Sequence, residues 1–217
     1  MTGNDEIQAH YTRGGLAETL LAALEAAGKD KAKLSLDDLA PIDEFHSRGR
    51  DATRELAGLA RLMPETRVLD LGCGLGGPAR RLAKDFACRV TGLDLTAEYV
   101  DVASLLAERT GLKGRVAFVQ GDACETAFED ASFDVVWSQH AAMNIPDKAK
   151  LYGEAARVLK PGGRLVLYDI LAGEGGTPHF PVPWARDPAT SHLVSPGELK
   201  ELLAGAGFEP QHWRERS

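Results

Sequence analysis

A doubly wound, mostly parallel α/β sheet is what three features of this 217-residue sequence predict. From residue 67 onward, five short apolar runs alternate with helical patterns. The runs are continuously apolar instead of alternating, which suits strands covered on both faces. A glycine-dense turn, Gly72-Cys73-Gly74-Leu75-Gly76-Gly77, joins the first run to the helix that opens at Pro78. Such a turn lets the backbone reverse sharply and present N–H groups at a helix N-terminus, where a ligand can come close.

In chain order, Leu16, Leu20, Leu21 and Leu24 share one face of a first helix, with Gly28 as its stop. Residues 30–49 read as short helical turns and loops. A second helix is expected over 50–63, with Leu56, Leu59, Ala60 and Met63 on one side and Pro64 ending it. Strands follow over 67–71, 89–95, 116–120, 133–138 and 164–170, with helices over 77–86, 97–110, 147–159 and 196–205. Thr96 and Gly111 bracket the second of these helices. Ser195-Pro196-Gly197-Glu198 is a capping box with proline at the first helical position. Lys160-Pro161-Gly162-Gly163 reads as a turn into the fifth strand. Residues 173–188 form a long Gly/Pro-rich insertion, and 208–213 read as the start of a sixth strand. The chain thus divides into an N-terminal helical segment, 1–64, and a sheet-bearing core, 65–217.

Hydrophobic residues at 44% and charged residues at 26% are ordinary for a globular chain. A net charge of −7 gives no electrostatic attraction to nucleic acid or to an anionic membrane. Cys73, Cys88 and Cys124 are odd in number and widely spaced, without a C-x-x-C pair. They read as reduced thiols and not as disulfides or a metal site. No basic-led apolar leader and no apolar run of transmembrane length are visible, so the expectation is a cytoplasmic protein with no integral membrane segment.

Open α/β sheets bind ligands at the carboxyl ends of their strands, and that is where the polar residues fall. Asp70 ends the first strand; a buried carboxylate there repels a pyrophosphate and suits a cation or an ordered water. Asp94 ends the second, where it can accept both hydroxyls of a ribose. Asp122, with Ala123, follows the third, where the pair can meet an exocyclic amino group and a ring nitrogen of a purine. Trp137-Ser138-Gln139-His140 ends the fourth and leads into Ala141-Ala142-Met143-Asn144. Gln139, His140 and Asn144 can orient a substrate, and His140 can take a proton. Each residue also has a bland reading as a cap, turn or loop tie. Gly72, Gly74 and Gly77 moreover satisfy G-x-G-x-x-G, the dinucleotide fingerprint, so an NAD-dependent oxidoreductase stays open as an alternative.

The stretch Val68-Leu69-Asp70-Leu71-Gly72-Cys73-Gly74-Leu75-Gly76, together with Asp94, Gly121-Asp122-Ala123, Phe133-Asp134-Val135-Val136 and Arg157-Val158-Leu159-Lys160-Pro161-Gly162-Gly163, resembles the class I S-adenosylmethionine-dependent methyltransferases. The resemblance implies a Rossmann-like methyltransferase fold and S-adenosyl-L-methionine as cofactor. It places Gly72, Cys73, Gly74 and Gly76 beside the methionine moiety, and Asp70 at its amino-acid end. Asp94 and the adjoining Leu95 fall at the ribose, Asp122 and Ala123 at the adenine, and Ser138 and Gln139 beside the sulfonium. The segments Asp43-Glu44-Phe45-His46, Gln139 to Asn144, and Phe180-Pro181-Val182-Pro183-Trp184-Ala185 look like the small-molecule branch. That branch includes glycine-derivative N-methyltransferases and ubiquinone- or tocopherol-type C-methyltransferases. It implies that residues 1–64 form a helical lid over the cofactor, and that Tyr11, His46, Met143, Asn144 and Trp184 reach the substrate. Gln139, His140 and His46 are the candidates for catalytic roles. The acceptor implied is a small amine or a quinol- or phenol-like molecule. Family members continue to a seventh, antiparallel strand, so the C-terminal end of the fold is expected to be missing here, or supplied by a second subunit in a homodimer. A non-catalytic cofactor-binding protein is the third reading.

Overall fold

The computed structural model describes residues 8, 12, 14–44, 46–176 and 178–215; Tyr11 and Phe45 lie outside them. Five parallel strands form one sheet in the order β3-β2-β1-β4-β5. They are β1 (Arg67–Leu71), β2 (Arg89–Asp94), β3 (Val116–Gln120), β4 (Phe133–Gln139) and β5 (Leu159–Tyr168). The chain winds outward from β1 through β2 to β3, then returns to β4 on the other side of β1. The β1/β4 boundary is therefore the switch point at which such sheets open a crevice.

Helices cover both faces. On one, Leu69, Leu71 and Val136 pack against Leu151, Tyr152 and Ala155 of α6 (Lys148–Val158) and Leu199 and Leu203 of α7 (Pro196–Gly205). On the other, Val68, Val90, Val135 and Trp137 meet α3 (Gly49–Ala60) and α4 (Gly77–Phe86). The side chain direction alternates along each strand, so Asp70 and Gln139 project on the same face as Val68 and Trp137. A third cluster joins Leu24 of α1 (Leu16–Ala26) and Leu39 of α2 (Leu36–Asp43) to Val102 and Leu106 of α5 (Ala97–Arg109). That contact covers the apolar stripe of α1. The N-terminus of α1 has no side-chain cap of its own, and Glu98 of α5 accepts from the backbone N–H groups of Gly14 and Leu16 at 3.1 and 3.0 Å.

Several expectations are corrected. Residues 30–49 contain a true helix, α2, opened by a capping box between Ser35 and Asp38. Helix α3 stops at Ala60, not Met63, with Arg61 in the left-handed conformation. Its buried face is built of Ala52, Thr53, Ala57 and Ala60, while Leu59 and Met63 are 43% and 66% exposed. Small side chains let this helix lie close on the sheet. Thr96 occupies the N-cap of α5 without a side-chain capping bond. Strand β5 begins earlier than expected: Phe133 pairs with Leu159 and Val135 with Arg164, so the Lys160–Gly163 turn is a bulge inside the strand. It ends at Tyr168, leaving Asp169 and Ile170 beyond. Finally, residues 208–213 form no strand. Phe208 and Trp213 instead pack on the α6/α7 side, with the Lys200 ammonium 4.5 Å from the Trp213 ring centroid. No described helix is long and apolar enough to cross a membrane.

Candidate active site

The glycine turn is pinned by backbone bonds: the Gly72 and Cys73 N–H groups both donate to the Leu93 carbonyl, at 2.8 and 3.1 Å. Its glycines have different reasons. A Cβ at Gly72 would lie 2.4 Å from Ala141, and one at Gly76 would lie 2.4 Å from the Phe118 ring, so both are tight-packing positions. Gly74 alone of the three, at φ 52°, has nothing within 4 Å of where a Cβ would stand, and so faces open space. Cys73 contributes through its backbone; its buried side chain packs over Gly92.

Asp94 is buried and fixed by two backbone donors, Gly74 N–H on Oδ2 at 2.8 Å and Thr96 N–H on Oδ1 at 2.9 Å. Each oxygen keeps a second lone pair, which is what a pair of ribose hydroxyls would use. Leu95 presents its carbonyl to Gln120 at 3.1 Å. Asp122 accepts from the Cys124 N–H at 2.8 Å and holds its own turn, with Ala123 buried beside it. Asp70 is 2% exposed, and its Oδ2 has no hydrogen-bond partner. Burial, reinforced by the charge of Asp94, pushes its carboxyl up to about 7. A buried unpartnered carboxylate oxygen at the end of the strand that leads into the glycine turn fits the cationic amino-acid end of S-adenosylmethionine.

The carboxyl ends of β4 and β5 carry a second constellation. Ser138 is buried within β4. Gln139 is 8% exposed; its Oε1 accepts from Trp137 Nε1 at 2.8 Å and from the fully buried Thr53 hydroxyl of α3 at 3.2 Å. Its Nε2 has no partner. Thr53 also lies 3.3 Å from His46 Nε2. His140 sits at φ 52°, held by its N–H to the Tyr168 carbonyl at 2.8 Å. The Ser47 hydroxyl bridges His140 Nε2, at 3.3 Å, and the Tyr168 hydroxyl, at 2.9 Å. The rings of His46 and His140 stand 6.0 Å apart, and Tyr168 is 5.1 Å from His140. Burial lowers both imidazoles, and the neighbouring His46 contributes to bringing His140 down to about 4. Both are therefore neutral near pH 7.

Asn144 and Trp184 serve the insertion. The Asn144 amide donates to the carbonyls of Trp184 and Thr190, both at 2.8 Å, and the Trp184 indole donates to Ser191. Met143 is buried and takes the His192 N–H on its carbonyl at 2.7 Å.

Ser47, Thr53, Tyr168, Lys148 and Asp169 escaped the sequence reading. Lys148, 5% exposed, donates to the carbonyls of Ala142, Ile145 and His192 at 2.9, 2.8 and 2.6 Å. Asp169 accepts the Ala142 N–H at 2.8 Å, and burial raises it to about 6. Together they shape the loop after β4. Asp169 lies just past the end of β5, as Asp70 lies near the end of β1, and the same strand-end rule would have found it. Nothing in the local sequence marks Lys148.

The N-terminal helical segment is tied to the glycine turn by a buried ion pair between Asp43, at the end of α2, and Arg80, in the helix that follows the turn. Gly77 permits this approach, because a Cβ there would stand 2.2 Å from the Asp43 carbonyl.

A methyltransferase-domain family model matches residues 69–167. The 27-O-demethylrifamycin SV methyltransferase of Amycolatopsis mediterranei is 41% identical over 135 residues, covering 62% of this chain and 48% of that protein. The 2-methyl-6-phytyl-1,4-hydroquinone methyltransferase of Synechocystis is 45% identical over 118 residues, covering 54% and 36%. The chain thus spans about half the length, or less, of these curated relatives. Phosphoethanolamine N-methyltransferase 2 of Haemonchus contortus, solved with S-adenosyl-L-methionine, superposes with a TM-score of 0.73 at 25% identity, over 93% of this chain and 44% of that one. With its strand order, its glycine turn and its strand-end carboxylates, the chain carries a class I S-adenosylmethionine-dependent methyltransferase domain over residues 69–167.

Proposed function

We propose that this chain transfers a methyl group from S-adenosylmethionine to a small-molecule acceptor. The observation that carries the reading is the buried, unpartnered Asp70 oxygen beside the open Gly74 turn, with Asp94 at the next strand end. In this reading Asp70 takes the ammonium of the amino-acid end, and the turn Gly72–Gly76, including the Cys73 backbone, lies along the methionine. Asp94 and the Leu95 backbone hold the ribose, Asp122 and Ala123 frame the adenine, and Ser138 and Gln139 flank the sulfur. The cofactor supplies an electrophilic methyl carbon on a sulfonium, already an excellent leaving group. What remains for the protein is alignment and exclusion of water, worth roughly 7–11 kcal/mol at best.

Residues 1–64 act as a lid, of which Thr53 and Ser47 touch the β4/β5 ends and Asp43 anchors α2 to the turn helix. His140, neutral and bonded to Ser47, is the proton acceptor; His46 supports it from the lid side. Met143 and Trp184 line the acceptor side, and Asn144 holds the insertion against them. Acceptors of the relatives include a rifamycin and a hydroquinone, by their names; a small hydroxylated or amine-bearing molecule is the class proposed here. An oxidoreductase is not favoured, since Asp70 stands where a pyrophosphate would be repelled.

Calorimetric titration with S-adenosylhomocysteine and with NADH tests the cofactor. Binding of the former alone supports the proposal, and binding of NADH alone overturns it. Release of S-adenosylhomocysteine with labelled methyl on an added metabolite tests the transfer.

A further inference from the structure

The Gln139 amide carries more information than its place beside the cofactor. An indole N–H can only donate, so the Trp137 Nε1–H requires the amide oxygen of Gln139 to face it. The Thr53 hydroxyl meets that same oxygen. The amide orientation is thereby determined, and its NH2 group points away from both. That NH2 has no partner although the residue is more than nine-tenths buried. A buried donor without an acceptor is a standing cost to the fold, and a bound ligand's acceptor atom removes it.

Strand register says which side this donor serves. Asp70 pairs with Trp137 across β1/β4, and Gln139 pairs with Tyr168 across β4/β5. Paired residues in neighbouring strands point to the same face, as do residues two apart along one strand. Asp70, Gln139 and Tyr168 therefore share the lid face. The groups gathered around Gln139 there are His46, Ser47, Thr53, His140 and Tyr168. Their hydrogen bonds and ring contacts run among hydroxyls, imidazoles, the amide, an indole and backbone carbonyls. Among the described residues, no carboxylate takes part in these contacts to hold an ammonium.

From this juxtaposition we infer that the atom methylated is a hydroxyl oxygen, alcohol or phenol, recognised by the Gln139 NH2. The inference rests on the methyl-transfer reading above. A hydroxyl oxygen has two lone pairs: one accepts from Gln139 while the other attacks. A neutral amine nitrogen has a single pair, and a donor aimed at it removes the electrons the reaction needs. In the step, the hydroxyl oxygen bonds to the methyl carbon as the carbon–sulfur bond breaks, its electron pair staying on sulfur as a neutral thioether. The hydroxyl proton passes to Nε2 of His140, directly or through the Tyr168–Ser47 hydroxyl chain that ends there. The methyl ether leaves uncharged, and the charge of the sulfonium ends as a proton on the imidazole.

The test uses the whole chain, Gln139→Glu and Gln139→Met. The first keeps the shape of the side chain and replaces its free donor by an acceptor; the second removes the donor without burying a charge. Titration with S-adenosylhomocysteine comes first. If the wild-type protein does not bind it, the methyl-transfer reading fails and the inference falls with it. If it binds, matched probes are offered with S-adenosylmethionine: phenol against aniline, benzyl alcohol against benzylamine, hydroquinone against p-phenylenediamine. Mass spectrometry locates the methyl group. Ether products, with amine products at least about tenfold slower, are expected; preferred transfer to nitrogen or carbon, or none to any hydroxyl probe, overturns the inference and leaves the cofactor reading standing. Because Gln139 also borders the cofactor, S-adenosylhomocysteine affinity is measured for each variant and rates are compared at saturating S-adenosylmethionine, where both should form ether about tenfold more slowly, the scale for losing one positioning hydrogen bond. Binding of phenol to the protein–S-adenosylhomocysteine complex, read by calorimetry, should weaken in both. Phenol binding unchanged in Gln139→Met would overturn the role given to Gln139.

Discussion

The ends of β1 and β2, and the ends of β4 and β5, build their halves of the site by different means. At β1 and β2 the work is done by backbone and by carboxylates close in the chain: Gly74 and Thr96 N–H groups on Asp94, and the turn bonded to Leu93. At β4 and β5 it is done by side chains brought from far apart, with Ser47 reaching His140 and Tyr168, and Thr53 reaching Gln139. The first half is charged and open at Gly74; the lid face of the second is lined by neutral side chains, with Thr53 of α3 on Gln139. A shared cofactor needs the same local backbone in every member of a family, whereas an acceptor is recognised by whatever the lid and late loops carry.

Breaking the tie between α2 and the helix that follows the glycine turn should have the largest effect. Asp43→Ala leaves the Arg80 guanidinium buried without its carboxylate, and loss of one partner from such a pair costs about 3–5 kcal/mol. Chemical denaturation should show it as a fall in midpoint without a change in slope. The double variant Asp43→Leu/Arg80→Met should recover most of the loss, because the penalty is the stranded charge.

Asp94→Ala tests the charged half. Two hydroxyl bonds to a carboxylate at about 1.5 kcal/mol each amount to roughly a 100-fold loss of S-adenosylhomocysteine affinity. Calorimetry checks it, and unchanged affinity would mean that the ribose lies elsewhere.

Asp70 offers a pH test with a defined sign. Its carboxyl, raised to about 7 by burial and then by Asp94, is protonated in the ligand-free protein below that pH and cannot pair with an ammonium. Affinity for S-adenosylhomocysteine should rise by about tenfold per unit as pH increases toward 7 and then level off. Asp70→Asn should flatten the profile. The same shift makes the ligand-free fold lose stability as pH rises from the ordinary carboxylate range toward 7, since the folded state holds the proton more tightly than the unfolded chain.

The smallest effect belongs to the neutral half. Ser47→Ala breaks the link between Tyr168 and His140, a bond worth about 1 kcal/mol. The transfer rate should fall about fivefold while S-adenosylhomocysteine affinity holds. An equal loss in both would show that Ser47 acts on the lid as a whole.

Much of the fold was legible before any coordinates. The bounds of β1, β3, α4 and α7 agree with the sequence reading, because each is delimited by its own glycines, proline or capping box. The expected inner face of α3 is half right: Ala60 is buried and Leu56 packs beside it, whereas Leu59 and Met63 are exposed and close approach to the sheet selects Ala52, Thr53 and Ala57 instead. The expected sixth strand fails because Phe208 and Trp213 pack on the α6/α7 side. Asn144, expected at the substrate, donates its amide to the Trp184 and Thr190 carbonyls, a link between distant segments that no local spacing announces.

What the amino-acid sequence determined by itself is the parallel α/β architecture and the glycine turn with Asp70, Asp94 and Asp122 at successive strand ends. Those signals are local: periodicity, turn chemistry and the position of a residue relative to its own strand. Only the tertiary structure decided that Gly74 alone of the turn's four glycines faces open space, that Arg80 pairs with Asp43, and that Gln139 keeps a donor without a partner. Each of these depends on what a distant segment places within a few ångströms, which no spacing along the chain encodes.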